Sequence, residues 1–458
     1  MGARSCTEDS SAVSIVFPVL IPILKIGMEW KLACAISQND SLYCTVIDNN
    51  VNYETGKQAM TGPLDGVRII EMTSVVMGPY AAQILGDYGA EVIKLEPPGG
   101  DTMRGVGPMR SAGMGPIFLN LNRNKRSIVL DLKRPEGLAL LLRMAESADV
   151  LLYNVRPQAM ARLGITYVKL AEVNPRLILA GVFGYGQNGP YADKPAYDDL
   201  VQGVLAVPSL VAQVGDGEPR YVPITLMDRA VALHAVNAII AALYARERTG
   251  QGQELQIPMF ESMVPFILGD HMGGRTFEPP LGDAGYARLL ARDRRPFATR
   301  DGFICVLVYT DSHWRKFFEL IGDPGRMERD PRFATIGSRT EHIGELYALV
   351  AEAMKNRSTA EWLEVLEGLD IPAMPLHTPS SLLDDPHLKA TGFFRTVEHP
   401  SEGSIREMAI PGLWSGTPPS IRRPAPRLGQ HTAEVLLEAG LKPSEIDALR
   451  AANVIGPL

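Results

Sequence analysis

The sequence predicts an α/β protein with a Rossmann-like, doubly wound parallel sheet and a second, smaller α+β domain. Three observations lead to this prediction. Short apolar strands alternate with helical stretches between residues 67 and 183, a pattern typical of parallel sheets. Polar or glycine-rich segments follow these strands, at the edge where such sheets hold their ligands. A long apolar helix then precedes a hairpin-like pattern and three further helices.

Composition and charge restrict the class of protein. At about 150 residues per domain, a chain of 458 residues indicates two or three domains. The net charge of −7 offers no positive surface for nucleic acid or an anionic membrane, so neither is predicted as a partner. The four cysteines are too few for a disulfide framework and lack zinc-ligand spacing. We therefore expect a cytoplasmic protein without a metal.

Residues 1–60 are predicted to form a poorly organised N-terminal extension. The apolar run at residues 12–24 is shorter than the roughly 20 residues that span a bilayer, and it contains prolines. Glu8 and Asp9 stand where a signal sequence would carry basic residues. Ordered periodicity begins only after this segment, so Met60 is the expected natural start.

The large domain is predicted to cover residues 61–270 and to be completed by residues 400–458. Helices are expected to begin near Gly78, Pro135 and Gln158. After the last strand, the letters GYGQNG match a dinucleotide-binding fingerprint, but a turn-rich loop follows instead of a helix. No nicotinamide or flavin site is predicted. The expected strands are residues 67–72, 91–95, 127–132, 150–154 and 177–183.

Residues 223–252 predict a helix that is buried on nearly every face. Arg246 and Arg248 in its last turn and Gly250 just beyond it are typical of a helix end. Asp228 stands at or beside the N-cap, where backbone N–H groups and the helix dipole favour an ionised carboxylate. The residues alone leave two interpretations open: a helix cap, or a nucleophile close to N–H groups that receive an oxyanion.

The smaller α+β domain is predicted at residues 285–392. Two strands flank Gly302, and helices are expected at residues 312–321, about 340–355 and 359–369. The segment DIPAMP reads as a proline-marked exit from this domain. The proline-rich C-terminal segment is expected to run back to the large domain and to end in a helix near residues 431–440.

Several segments in one order resemble the class III CoA-transferase family, also called the CaiB/BaiF family, which includes formyl-CoA transferase. The resemblance covers residues 62–458. The segments are GPLDGVRIIEMTSVVMGPYAAQILGDYGAEVIKLEPPGGD, NRNKRSIVLDLKRPEG, residues 154–164, GYGQNGPYADKPAYD, the Asp228 helix ending in RTGQGQ, DIPAMP with DDPHLKATGFF, and LGQHTAEVL.

This resemblance implies the class III CoA-transferase fold and transfer of CoA from an acyl-CoA to a carboxylic acid. It implies two interlocked chains, and CoA as a substrate with no permanently bound cofactor. Asp228 corresponds to the nucleophile, which forms a mixed anhydride and then an aspartyl-CoA thioester. Asp198 corresponds to a catalytic Glu of the formyl-CoA transferase branch, and it is expected to position the nucleophile or tune acceptor binding.

By the same resemblance, ten residues are expected to line the CoA site. On the residues alone, several of them are better explained as solvated charges or a strand-end cap. Arg104 is expected to meet a phosphate or the acceptor carboxylate, and Gly273 and Gly274 to form a reduced substrate lid. The ten CoA residues are Val75, Val76, Met77, Leu130, Lys133, Asn154, Val155, Arg162, Lys194 and Tyr197.

Departures from the family pattern bear on specificity. The formyl-CoA transferase branch has Gln where this chain has Val76 and Arg where it has Pro97, which weakens a formyl or oxalyl assignment. In the 2-methylacyl-CoA racemase branch, a His precedes the acidic residue. Here Tyr197 takes that place, and a phenol is a poor base near neutral pH. Racemisation and a non-catalytic CoA-binding protein remain the alternatives.

Overall fold

The computed structural model describes residues 31–36, 42–47 and 62–456, and the chain divides into two compact units, Met1–Ala59 and Met60–Leu458. In the first unit, strands β1 (Lys31–Ile36) and β2 (Leu42–Ile47) pair antiparallel. The sequence had indicated a poorly organised extension and no particular strand. The rest of the predicted extension lies outside the described residues.

The second unit is organised around a six-stranded parallel sheet with the order β5-β4-β3-β6-β7-β8. The chain builds outward from β3 to β5 and then returns to place β6 on the other side of β3. This order is typical of doubly wound sheets, and it confirms the predicted fold class. The strands are β3 (Arg68–Met72), β4 (Glu91–Glu96), β5 (Lys125–Val129), β6 (Val150–Tyr153), β7 (Ile178–Phe183) and β8 (Glu254–Pro258).

Burial explains why five of these strands were predictable and one was not. The five predicted strands are buried along nearly their whole length, as expected when helices cover both faces of a parallel sheet. The edge strand β8 has the sequence ELQIP, and only Ile257 in it is buried. It therefore lacks the apolar run that marks a buried strand.

Two hydrophobic cores cover the two faces of the sheet. Neighbouring residues of a strand point to opposite faces. Ile69 accordingly belongs to the core formed with helices α1 and α8, and Ile70 to the opposite core. The helices of this region are α1 (Met77–Asp87), α2 (Pro116–Leu121), α3 (Pro135–Ala145), α4 (Pro157–Arg162), α5 (Tyr167–Val173), α6 (Asp198–Val204), α7 (Val207–Val214), α8 (Leu226–Thr249) and α9 (Met259–His271).

The long helix α8 ends as the sequence predicted, but it is not buried on every face. Gly250 adopts a left-handed conformation, with φ of 75°, and its N–H donates to the carbonyl of Arg246. One side packs on α1, α9 and the sheet, whereas Leu233 and Tyr244 are 49% and 64% exposed. Among the described helices, only α8 is long and apolar enough to span a bilayer, a property shared by core helices of soluble proteins.

A separate aromatic core forms between residues 297 and 373. Its three-stranded antiparallel sheet has the order β11-β10-β9, from β9 (Phe297–Ala298), β10 (Phe303–Val306) and β11 (Ala373–Pro375). The segment read as a proline-marked exit is therefore a strand, because Ala373 and Pro375 pair with β10. The helices are α10 (Ala287–Leu290), α11 (Asp311–Leu320), α12 (Arg326–Arg329), α13 (Ile336–Glu341), α14 (Ile343–Met354) and α15 (Thr359–Gly368).

The C-terminal segment returns to the large sheet. The His431 N–H donates to the carbonyl of Ser127 in β5, and Leu130 forms a bridge with Ile455. Leu436 and Ile455 are buried in the second core of the sheet. The elements are α16 (Pro379–Leu382), α17 (Pro386–Ala390), β12 (Phe394–His399), β13 (Gly403–Met408), α18 (Thr432–Glu438) and α19 (Pro443–Ala451).

The turn from α8 into β8 has no room for a side chain at Gly252. A Cβ added there would lie 2.0 Å from the carbonyl oxygen of Leu177, so the backbone would have to move. We expect Gly252→Ala to lower the free energy of unfolding by about 2–4 kcal/mol in urea titrations. The control is Gly269→Ala in α9, where a Cβ meets open space and a change of about 1 kcal/mol or less is expected. Equal effects of the two substitutions would contradict this account.

Candidate active site

The carboxyl edge of the sheet gathers most of the residues proposed from the sequence. Helix α8 leads into β8, which runs parallel to β7, so α8 begins at this edge with Asp228 in its first turn. The other residues follow strands at the same edge: Val75, Val76 and Met77 after β3, Leu130 and Lys133 after β5, Asn154 and Val155 after β6, and Lys194, Tyr197 and Asp198 after β7.

The loops after β3 and β6 are joined at the point where the strand order reverses. The side-chain amide of Asn154 donates from Nδ2 to the Ser74 carbonyl at 2.8 Å and accepts the Ser74 N–H at 3.2 Å. A doubly wound sheet opens its ligand crevice at this point. Since both groups of the amide already have partners in the protein, Asn154 shapes the crevice wall.

The loop of Val75, Val76 and Met77 presents its backbone to the crevice. Val75 has a φ of 74°, in the left-handed region, and the side chains of Val76 and Met77 are buried. Val76 is the N-cap of α1, without a side-chain capping bond, and the first turn has no acidic residue. The N–H groups of Val76, Met77 and Gly78 have no partner among the described residues. The first turn of α1 is therefore an open positive helix end.

Asp228 is the third residue of α8 and does not cap it. The N-cap is Thr225, whose own side chain makes no capping hydrogen bond. Asp228 is half-buried, and its carboxylate accepts no hydrogen bond from the described residues. Burial, followed by the charge of Asp198, raises its pKa from 3.8 to about 7, while Arg229 acts in the opposite direction. Burial and the charge of Asp198 therefore oppose the ionised form that the helix end favours.

Asp198 anchors the start of α8. Its buried carboxylate accepts the Asp228 N–H at 2.9 Å through Oδ1 and the Gln202 side-chain amide at 2.6 Å through Oδ2. Gln202 is itself buried and accepts the Val222 N–H at 2.9 Å. Asp198 therefore supplies the side-chain acceptor that the cap interpretation assigned to Asp228. It fixes the backbone of Asp228 and leaves the Asp228 carboxylate without a partner.

Contacts between the first turns bring α1 and α8 together. The Arg229 guanidinium lies 5.2 Å from the ring centre of Tyr80, three residues beyond Met77. Both helices begin at the carboxyl edge, so Asp228 and the loop after β3 share one end of the molecule. Two positive helix ends thus point toward the region around this carboxylate.

Three exposed cations lie in the segments that follow β5, β6 and β7. Lys133, Arg162 and Lys194 form no ion pair with the residues that the structure describes, and Lys194 lies 4.0 Å from the ring centre of Tyr191. Tyr197, the N-cap residue of α6, is 67% exposed. Cations without ion-pair partners and an exposed ring are groups that suit a ligand with phosphates and an aromatic base.

Four proposed residues have surroundings that the sequence did not indicate. The guanidinium of Arg104 is buried and makes two 2.7 Å bonds to Glu96, so it cannot meet a phosphate or a substrate carboxylate. The Leu130 side chain is buried in the core, so only its backbone reaches the edge. Gly273 and Gly274 pack against the backbone of residues 282–285 and make no hydrogen bond to the loops carrying Asp198 and Asp228.

Sequence reasoning missed three polar residues behind the site: Gln202, Lys94 and Asp101. Gln202 was recognisable in principle, because it lies four residues after Asp198 and hence on the same helix face. A signal for Lys94 was its place as the charged residue inside the apolar run of β4, and Asp101 follows that strand. Their partners come from other strands and loops and have no local pattern.

The raised pKa of Asp228 predicts a pH-dependent cost in stability. Between about pH 4 and pH 7, the unfolded carboxyl is ionised while the folded one keeps its proton, so stability falls as pH rises. We expect Asp228→Asn to be more stable than the wild type by on the order of 1–3 kcal/mol near pH 8 and about equal near pH 4 in urea titrations. The control is Asp199→Asn, on the exposed side of α6. A gain that is independent of pH, or shared by the control, would disprove this assignment.

Comparisons with known proteins agree with this geometry. A family model described as CoA-transferase family III matches residues 64–432. The succinate–glutarate CoA-transferase of Agrobacterium fabrum is 34% identical over 383 residues, covering 82% of this chain and 95% of that protein. The succinyl-CoA–D-citramalate CoA-transferase of Chloroflexus aurantiacus is 33% identical over 404 residues, covering 86% of this chain and 98% of that protein. The crystal structure of a CaiB/BaiF family protein from Brucella suis has a TM-score of 0.70 and 30% identity, covering 83% of this chain and 100% of its own. The chain therefore belongs to the class III CoA-transferase family.

Proposed function

We propose that this CoA-transferase moves CoA from an acyl-CoA to a carboxylic acid through covalent intermediates on Asp228. The observation that supports this most is the environment of Asp228. Its backbone is held by Asp198, whereas its carboxylate is half-buried, has no hydrogen-bond partner among the described residues and lies at the carboxyl edge of the sheet. A structural carboxylate at a helix start would hydrogen-bond to backbone N–H groups. A nucleophile needs free oxygen atoms.

The reaction consists of two successive exchanges through the same carboxylate, that of Asp228. An Asp228 oxygen attacks the thioester carbonyl, the C–S bond breaks, and CoA leaves as thiolate. The donor acyl group is then held as a mixed anhydride with Asp228. The thiolate attacks the aspartyl carbonyl, which releases the donor acid and forms an aspartyl-CoA thioester. The acceptor carboxylate then attacks this thioester, and the released thiolate attacks the acceptor carbonyl of the new anhydride. Asp228 is regenerated, and no net proton is consumed.

Each exchange builds negative charge on a carbonyl oxygen. The N–H groups at the first turn of α1, including those of Met77 and Gly78, are the donors that we assign to this oxygen. For the CoA phosphates we assign Lys133, Arg162 and Lys194, which carry positive charge on the same edge. Tyr197 is the proposed contact for the rest of the CoA.

Two chains are proposed to form an interlocked dimer in the cytoplasm. In the single chain, Leu233 and Tyr244 of α8 are 49% and 64% exposed, although both lie on an otherwise apolar helix. A partner chain would bury this face. Cys305 is a free thiol, which agrees with a reducing compartment.

A racemase remains the second candidate, because a pKa of about 7 also suits Asp228 as a general base. Racemisation needs a base on each side of the α-carbon, and the residue before Asp198 is Tyr197 rather than His. Incubation of a 2-methylacyl-CoA in deuterated water separates the two reactions. Deuterium at the α-carbon without acyl exchange would replace the transferase proposal with the racemase.

The identity of the substrates is proposed from the relatives. The two compared CoA-transferases are named for succinate, glutarate and D-citramalate, so short dicarboxylic acids are the first acceptors to test. A panel of carboxylic acids with succinyl-CoA and acetyl-CoA as donors measures this preference. Val76 and Pro97, which differ from the formyl-CoA transferase pattern, place oxalate and formate lower on the panel.

The nucleophile is tested by substitution and trapping. Asp228→Ala should lower transfer by about 10⁴-fold or more while the Kd of CoA stays within about threefold, because the phosphate contacts do not involve this carboxylate. Wild-type protein incubated with acyl-CoA and hydroxylamine should carry a hydroxamate on Asp228, detected by peptide mass spectrometry. Comparable turnover by the variant, or a hydroxamate on another residue, would refute the assignment.

The Asp198 charge should set the pH dependence of transfer. Asp228 attacks only when ionised, so kcat/KM is expected to fall as pH drops through about 7. Asp198→Asn keeps an oxygen for the Asp228 N–H but removes the repelling charge, so the acid limb should move down by about 0.5–1 pH unit. The Asp199→Asn control should keep the wild-type profile. An unshifted limb in Asp198→Asn would show that burial alone raises the pKa.

A further inference from the structure

Six charged side chains form a buried cluster beneath the loop of residues 73–79. All six are at most 4% exposed, and the three carboxylates balance the three cations. They come from three neighbouring strands and the loop after β4. We call them the buried ion cluster: Glu71, Lys94, Glu96, Asp101, Arg104 and Lys125.

Two lysines of the cluster hold the two ends of the loop. Lys94 donates to the Thr73 carbonyl at 2.9 Å, and Lys125 donates to the Pro79 carbonyl at 2.8 Å. Both ammonium groups pair with the same carboxylate, Glu71, at 3.2 and 2.9 Å. One buried carboxylate therefore fixes the distance between the two ends of the loop.

Asp101 holds the middle of the loop. Its Oδ1 accepts the Val75 N–H at 3.2 Å, and its Oδ2 lies 2.9 Å from the Lys94 ammonium. The Asp101 N–H in turn donates to Glu96, which is paired with Arg104. Asp101 is therefore fixed on every side before it contacts the loop.

Asp101 contacts Val75, whose backbone has a strained conformation. Val75 has a φ of 74°, and a β-branched residue in this region costs on the order of 1–2 kcal/mol. Without a restraint, the residue would relax toward negative φ and rotate the following N–H groups. Those are the N–H groups of Val76, Met77 and Gly78, which have no partner among the described residues.

Stability alone does not explain the cluster. Buried ion pairs are often replaceable by apolar side chains with no loss of stability, whereas removal of a single partner is costly. In this cluster, contacts from Lys94, Lys125 and Asp101 converge on the backbone of one short loop at the crevice. Such convergence favours a role in fixing the geometry of the loop.

We infer that Asp101, held by Lys94, is a positioning residue: it keeps Val75 in its left-handed conformation and so aims the N–H groups of the α1 start at the substrate. The inference rests on the proposed function for its consequence in catalysis. Its structural part, the conformation of Val75, stands independently of that function.

A rescue experiment tests this inference. In Asp101→Ala, we expect the KM for acyl-CoA to rise and kcat to fall, with a loss in kcat/KM of about 10–100-fold. Addition of Val75→Gly should restore kcat/KM to within about threefold of the wild type, because glycine adopts positive φ without strain. Crystal structures should show negative φ at residue 75 in the single variant and positive φ in the double variant.

The matched control is Asp87→Ala. Asp87 is as buried as Asp101, at 3% exposure each, and its ion pair with Arg123 lies at the other end of α1. Loss of stability with kcat/KM within about threefold is expected for it. If Asp101→Ala does not fold, Asp101→Asn with and without Val75→Gly replaces it, with a smaller loss that glycine again restores.

The outcomes separate the inference from the proposed function. If kcat/KM of the Asp101 variant is unchanged, or is not restored by Val75→Gly, the positioning role is wrong. If φ at residue 75 stays positive without Asp101, the role is likewise wrong. Should the wild type transfer no CoA at all, the proposed function fails, and the φ values of the crystal structures still decide the positioning role.

Discussion

The reversal of strand order between β3 and β6 is the constraint on which the candidate site depends. Because all six strands are parallel, every strand ends at the same edge, and every helix that leads into a strand begins there. At the reversal the two loops diverge to opposite sides and leave a crevice, which the Asn154 amide bridges at its base. Helix α8 leads into β8 and runs antiparallel to it, so α8 starts at the carboxyl ends of the strands. Asp228, in its first turn, therefore lies at this edge.

Opposing electrostatic effects meet at Asp228. The positive ends of α1 and α8 favour an ionised carboxylate, whereas burial and the nearby Asp198 disfavour it. Burial and Asp198 have the larger effect, so the pKa of Asp228 rises to about 7. A carboxylate with this pKa is more basic and less hydrated than an exposed one, and is therefore a stronger nucleophile toward a thioester. At neutral pH, a large fraction is still ionised. The site thus combines reactivity with availability at one residue.

The interior of the sheet contains charges where apolar residues would serve stability equally well. Glu71, Lys94 and Lys125 lie on adjacent strands and are fully buried. Burial lowers the pKa of Lys125 to about 8, and the charge of Glu71 partly offsets this. Burial acts in the same direction on Lys94, but its carboxylate neighbours outweigh it and raise the pKa of Lys94. The cluster contacts the backbone of the loop after β3, so these charges are connected with the conformation of that loop.

The sequence by itself determined the alternation of strands and helices, the extent of α8 and the identity of Asp228 as the central candidate. These features depend on local periodicity and on residue types that mark helix ends, or on ordered motifs shared with a family. Tertiary structure decided what lies around each residue. Arg104 looks like a free cation in the chain but is paired with buried Glu96, and Asp228 looks like a cap whereas Asp198 supplies the cap. The burial of Lys94 and the edge position of β8 were equally hidden, because desolvation and pairing depend on residues far away in the chain, and local patterns carry no information about them.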